Sequence, residues 1–137
     1  MATRVKQKAA ARKANRDKRP RAIAKYIRIS SRKVKIVIDL IRGKPLGEAL
    51  AILEFSPKAA TRVVQKLIQS AAANAENNLA MDRSGLYVAE IYANQGPTQR
   101  RSVPRARGRM DVQKRRSCHI TVILDDTQNR VRAAGRS

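Results

Sequence analysis

Asn94-Gln-Gly-Pro-Thr-Gln-Arg-Arg-Ser-Val-Pro-Arg-Ala-Arg-Gly-Arg-Met-Asp-Val-Gln-Lys-Arg-Arg-Ser-Cys118 is the stretch on which the fold turns. Two segments of strand composition flank it, Leu86-Tyr-Val-Ala-Glu-Ile-Tyr-Ala93 and Ile120-Thr-Val-Ile-Leu124, the second with Ile120, Val122 and Leu124 on one face. A structureless loop of this length inside a compact domain is uncommon and tends to be functional. Its apolar content is too low for a core of its own, and turn residues, Pro104 and Gly108, stand near its middle. The economical expectation is a β-hairpin over about 95–118 that continues outward from the sheet. A dozen residues per arm at ~3.3 Å each would reach roughly 40 Å from the body, too exposed to be stable alone in water. The other reading is a basic loop that stays disordered until bound. Both require the same kind of partner, a polyanion.

The overall charge fits that requirement. The 137 residues hold 31 Lys plus Arg against 10 Asp plus Glu, a formal net charge of +21. This length makes one domain of ordinary size, and so much like charge in one domain is self-repelling without a polyanion. Nucleic acid answers the need, because Lys and Arg neutralise phosphates and release counterions. An anionic membrane answers it poorly. No apolar run approaches the ~20 residues of a spanning helix, and the basic N-terminus leads into no apolar signal segment, so no membrane insertion is expected. The distribution of charge is more telling than its total. Residues 1–33 contain 13 basic residues and one acid, Asp17; 34–96 contain seven and six; 97–119 contain eight and one, Asp111; 120–137 contain three and two. A nearly neutral body therefore carries two basic arms, one N-terminal and one internal.

The body reads as a small core. Ile23, Ile27 and Ile29 alternate as on a short strand, with Lys25 and Arg28 sharing it. Ser30 or Ser31 can cap a following helix with Val34, Val37, Ile38 and Ile41 on one face, stopped by Gly43 and Pro45. A second helix over about 46–55 would bury Leu46, Ala49, Leu50 and Leu53. Ser56-Pro57 then offers a cap and a first-turn proline for a long third helix over about 57–79. Its expected stripe is Ala60, Val63, Val64, Leu67, Ala71, Ala75 and Leu79. The alanine- and asparagine-rich half of that helix, 70–78, suits close packing on the core better than direct RNA contact. Residues 82–85 form a turn, and 128–137, with no periodicity, are expected to be a mobile tail.

Other chemistries find little support. One cysteine, Cys118, permits no intrachain disulfide and suits a reducing, intracellular setting. Cys118 and the one histidine, His119, are too few for a metal site, and no cofactor motif is present. As neighbours on a strand these two side chains would point to opposite faces, out of reach of each other, so a structural histidine beside an inert thiol is expected, and no enzyme. With no Trp, one Phe and three Tyr, the chain lacks the stacking platforms of single-strand readers. Phosphate contact and shape remain as the means of recognition.

The order of elements and several local strings resemble those of bacterial-type large-subunit ribosomal protein twenty-two, a universal family of exit-tunnel ribosomal proteins. They are Ile29-Ser-Ser-Arg-Lys-Val-Lys35 running on to Asp39-Leu-Ile-Arg-Gly-Lys44, Ser70-Ala-Ala-Ala-Asn-Ala-Glu-Asn77, Gly96-Pro97-Thr98, Pro104-Arg-Ala-Arg-Gly-Arg109 and Lys114-Arg-Arg-Ser-Cys-His-Ile-Thr-Val122. Together they cover about 22–125. Ser31 stands where the family usually has proline, and Cys118 where it usually has serine.

The resemblance implies an α+β fold, three helices packed on a small three-stranded antiparallel sheet with a long protruding β-hairpin. One domain over 22–126 is expected, preceded by a basic arm over 1–21 that rests on charge alone and followed by a tail over 127–137 that rests on the lack of periodicity. The resemblance further implies a structural constituent of the large subunit, cytoplasmic, with an organellar ribosome also compatible. Such a protein binds 23S-type rRNA, supports subunit assembly and lines the polypeptide exit tunnel with its hairpin tip. There it meets the nascent polypeptide and neighbouring large-subunit proteins, among them ribosomal protein four, and can affect macrolide action. By position, Arg105, Ala106, Arg107, Gly108, Arg109 and Met110 match the tip, and Arg100, Arg101, Lys114, Arg115 and Arg116 the stem. Arg16, Lys18, Arg19, Arg21, Lys25, Arg28, Arg32 and Lys33 join them on charge, and His119 completes the candidate rRNA contacts. Charge alone does not separate RNA from DNA, so a DNA-compacting architectural protein is the alternative. The Pro-Arg-Ala-Arg-Gly-Arg and Cys-His-Ile strings point to the ribosomal family instead.

Overall fold

The computed structural model describes residues 2–14 and 17–127. Five strands and four helices follow one another as α1 (Ala2–Ala14), β1 (Arg21–Ile27), α2 (Ser31–Ile41), α3 (Leu46–Phe55), α4 (Thr61–Leu79), β2 (Leu86–Gln95), β3 (Gln99–Pro104), β4 (Met110–Arg115) and β5 (Cys118–Asp126). The chain is α+β, but the described residues hold four helices rather than three. The unexpected one lies in the N-terminal arm. Apart from Thr3 and Val5 its residues are Ala, Lys, Arg and Gln, strong helix formers, with no Gly or Pro. Every side chain described on it, from Thr3 to Ala14, is exposed. The expected tail lies outside the described residues, apart from Thr127.

β5 is the centre of a three-stranded antiparallel sheet ordered β1-β5-β2. Alternation along β5 sends Cys118, Ile120, Val122 and Leu124 to one face, each at 0% exposure. Onto that face pack α4, against β1 and β5, and α2, against β2, with α3 resting on both helices. The stripe of α2, Val34, Val37, Ile38 and Ile41, is buried as its spacing predicts. The helix begins after Ser30, whose side chain makes no capping hydrogen bond. It ends before Gly43, where a left-handed backbone (φ 75°) turns the chain. The Gly43 N–H donates to the Val88 carbonyl at 2.9 Å and the Val88 N–H to that of Lys44 at 3.0 Å, tying this turn to β2.

Four local expectations are corrected. α4 starts at Thr61, not at Pro57, because the Thr61 hydroxyl donates to the carbonyls of Lys58 (2.5 Å) and Ser56 (3.3 Å) and folds 58–60 into a separate turn. Its buried face includes Ile68 and Ala72, whereas Leu79, in the last turn, is 42% exposed. On α3, Leu50 is only partly covered. On β1, Ala22 and Ala24 face the core while Ile23 is 46% exposed. A bulge between Ala24 and Ile27 then restores Ile27 to the core side. Ala71, Ala72 and Ala75 of α4 are buried, so its alanine-rich half serves helix packing.

The body's contacts begin before β1. The Leu124 N–H donates to the Pro20 carbonyl at 2.9 Å, and Arg19 bridges Asp17 (2.7 Å) and Glu90 of β2 (2.8 Å). Beyond the body, β3 and β4 form a separate two-stranded ribbon of six residue pairs, from Gln99↔Arg115 to Pro104↔Met110. At ~3.3 Å per residue the ordered pairing spans about 20 Å.

Candidate nucleic-acid interface

The ribbon leaves the body through a narrow root. The Gly96 N–H donates to the Ser117 carbonyl (2.9 Å), and the Ser117 hydroxyl to the Pro97 carbonyl (2.7 Å). A Cβ on Gly96 would stand 2.6 Å from the Ser117 Oγ and 3.2 Å from its carbonyl carbon, which is why a glycine sits there. The tip is closed by the Arg105 N–H donating to the Arg109 carbonyl at 2.8 Å. Within it Arg107 (φ 56°) and Gly108 (φ 69°) both take left-handed backbone.

Almost nothing apolar holds this ribbon together. Val103 and Ser117 are partly covered, and every other side chain from Gln99 to Ser117 is exposed. Arg100 lies directly opposite Lys114 in the register, a like-charge pair that weakens the ribbon in water. Only the Arg105–Asp111 bridge, at 2.8 Å, offsets charge within it, and at this exposure such a bridge contributes little. Arg100, Arg101, Arg107, Arg109, Lys114, Arg115 and Arg116 form no ion pair with an acid among the described residues.

The fold brings the cations of two distant segments together at the root. A cleft of about 560 Å³ is lined by Tyr26, Arg28, Pro97, Thr98, Gln99, Arg101, Arg115, Arg116 and Ser117. A second, of about 320 Å³, is lined by Arg28, Ile29, Ser30, Lys33, Ala59, Lys114 and Arg116. Arg28 and Arg116 thus wall both, and neither cleft contains an acid. Of the remaining expected contacts, Lys18, Arg21, Lys25 and Arg32 are exposed, while Arg19 is engaged by Asp17 and Glu90. Those hydrogen bonds keep the Asp17 carboxyl below its usual pKa and the Arg19 guanidinium firmly charged. Arg16 lies outside the described residues.

His119 is a structural histidine. Its Nδ1 accepts the Tyr26 backbone N–H at 3.0 Å, and the two rings meet edge to face, 4.8 Å between centroids at 86°. That N–H is available because the β1 bulge removes it from the strand ladder. Cys118 points the opposite way into the core, where burial pushes its thiol pKa up. The pair is not a catalytic dyad. Sequence reasoning overlooked Tyr26 and the wall 97–99; the signal available was an aromatic residue set between Lys25 and Arg28.

Residues 22–125 match the family model described as ribosomal protein L22p/L17e. The chain belongs to this family. Its members are structural proteins, not enzymes. Among similar proteins, the large ribosomal subunit protein uL22 of Pelotomaculum thermopropionicum is 59% identical over 106 residues, covering 77% of this chain and 94% of that one. The uL22 of Thermoanaerobacter sp. (strain X514) is 53% identical over 108 residues, 79% and 97% of the two chains. That of Clostridium acetobutylicum is 57% identical over 106 residues, 77% and 96%. The names of these relatives speak for the ribosome and lend no support to the DNA-compacting alternative.

Proposed function

We propose that this chain is a structural constituent of the large ribosomal subunit of the cytoplasmic ribosome, held on 23S-type rRNA by its hairpin stem and root. The observation that carries this reading is the convergence of Arg28 and Lys33 with Arg101, Lys114, Arg115 and Arg116 around two acid-free clefts. Phosphate oxygens are the natural ligands of such a surface, because guanidinium groups bind them bidentately through charge-assisted hydrogen bonds. The exposed ribbon with its Arg100–Lys114 opposition becomes a stable object once surrounded by RNA. Lys18, Arg21, Lys25 and Arg32 extend the same surface, with α1 and Arg16 as a further basic arm over 1–21. His119 then acts through Tyr26 and not as a phosphate ligand.

The tip, Arg105 to Met110, reaches beyond the clefts. In this reading it lines the polypeptide exit tunnel, beside the nascent polypeptide and ribosomal protein four, and the protein supports subunit assembly. The resemblance of Pro104 to Arg109 to the family's tip supports that placement. The test of the rRNA surface is the affinity of the full chain for large-subunit rRNA as salt is raised. Each phosphate contact adds about 0.7–0.9 to the slope of log K against log salt, so a steep fall is expected. Removing 1–16, a cut that spares the Arg19 bridge and the Pro20 carbonyl, should make the fall shallower while leaving binding in place. Salt-insensitive binding would overturn the reading.

A further inference from the structure

The larger cleft holds one feature that phosphate binding does not explain. Tyr26 is 66% exposed and stands among Arg28, Arg101, Arg115 and Arg116. Its backbone is left-handed (φ 58°), a conformation that side chains other than Gly, Asn and Asp seldom adopt. Such a conformation persists only where the surroundings over-determine it. Here the His119 ring does so twice, by accepting the Tyr26 N–H and by meeting the phenol ring edge to face. The opposite wall is equally fixed, through Gly96, Ser117 and the Pro97 carbonyl. An aromatic side chain is therefore held out of the core, in a rigid setting, as part of the lining of a basic cleft.

Resting on the rRNA reading above, we propose that this cleft takes a single unstacked nucleotide of the bound RNA, its base against the Tyr26 ring and its phosphates among the four arginines. The absence of acids makes the ligand an anion, and the aromatic ring makes it one with a flat face. The volume, about 560 Å³, lies within the roughly 300–1,000 Å³ of sites that enclose a small-molecule-sized ligand. Paired bases of an A-form helix are stacked on one another and offer no free face, so the nucleotide comes from a bulge, loop or junction. Base stacking on an aromatic side chain is sequence-tolerant; the cleft selects an extruded nucleotide and not a particular base.

The test uses large subunits assembled with the full-length protein carrying a photoreactive phenylalanine analogue at position 26. The expected crosslink maps to one unpaired rRNA nucleotide. In subunits carrying Tyr26→Ala, which retains the backbone N–H to His119, that base should become about tenfold more reactive to base-directed chemical probes, with reactivity normalised to the protein's occupancy. Tyr26→Phe should restore protection. A crosslink to paired nucleotides, a crosslink to a protein, or no crosslink from subunits that contain the variant would each overturn the inference while leaving the rRNA reading intact. Failure of the wild-type chain to enter large subunits would instead overturn the rRNA reading.

Discussion

The described residues form two antiparallel sheets that differ in what holds them. In β1-β5-β2, the inner residues of β5 are wholly buried beneath a helical layer in which α4 packs on β1 and β5 and α2 on β2. In the β3-β4 ribbon the backbone pairing is just as regular, over six pairs, yet every side chain but Val103 is exposed. Backbone hydrogen bonds alone do not stabilise an isolated hairpin in water, since each replaces a bond to solvent. The first sheet is thus fixed by its own sequence. The second needs a partner, and the excess of unpaired cations along it names the partner's charge.

The contrast is tested most severely in the core. Ile68→Asp places a carboxylate at a fully buried site on α4, and the cost should consume most of a stability on the order of 5–15 kcal/mol. Circular dichroism should show the body unfolded. A body that remained folded would break the division between core and arm. At the root, Gly96→Ala meets Ser117 backbone as well as its hydroxyl, so a loss of about 1–3 kcal/mol is expected by chemical denaturation. At the tip, Arg107→Ala should change the stability of the free protein by no more than about 0.5 kcal/mol. Cys118, buried on the inner face of β5 with its thiol pKa raised, should resist alkylation in the folded protein and react freely in denaturant.

The smallest effect concerns pH. Arg19 lowers the Asp17 pKa from its ordinary 3.8. The stability this contributes is present above the unfolded value and lost as pH falls through the folded one. Wild type and Asp17→Asn should therefore differ slightly at neutral pH and converge in acid. A difference that persisted at the lowest pH would show that the clasp does not act through the carboxylate charge.

What was legible in the sequence followed from periodicity and charge. The α2 stripe has four apolar residues at helical spacing, and all four are buried. The hairpin follows from two strands enclosing a basic run with central turn residues. Three things were less legible. α1 has no amphipathic stripe, only helix-forming residues, and composition had marked it simply as a charged arm. The inward face of β1 was assigned to isoleucines, but small Ala22 and Ala24 fit beneath α4. The root clefts combine residues about ninety positions apart, so no local pattern could bring Tyr26 and Arg28 beside Arg116.

The proposed attachment is tested most directly by the occupancy of the protein in purified large subunits for two variants. One lacks 106–110; the other has Arg100, Arg101, Lys114, Arg115 and Arg116 all replaced by alanine. The predicted result is near-normal occupancy for the tip deletion, with altered nascent-chain passage or macrolide response. The stem variant should show occupancy reduced at least about tenfold, because it removes charge-assisted contacts to phosphate. Loss of occupancy on deleting the tip, together with normal incorporation of the stem variant, would contradict the proposed orientation of the hairpin.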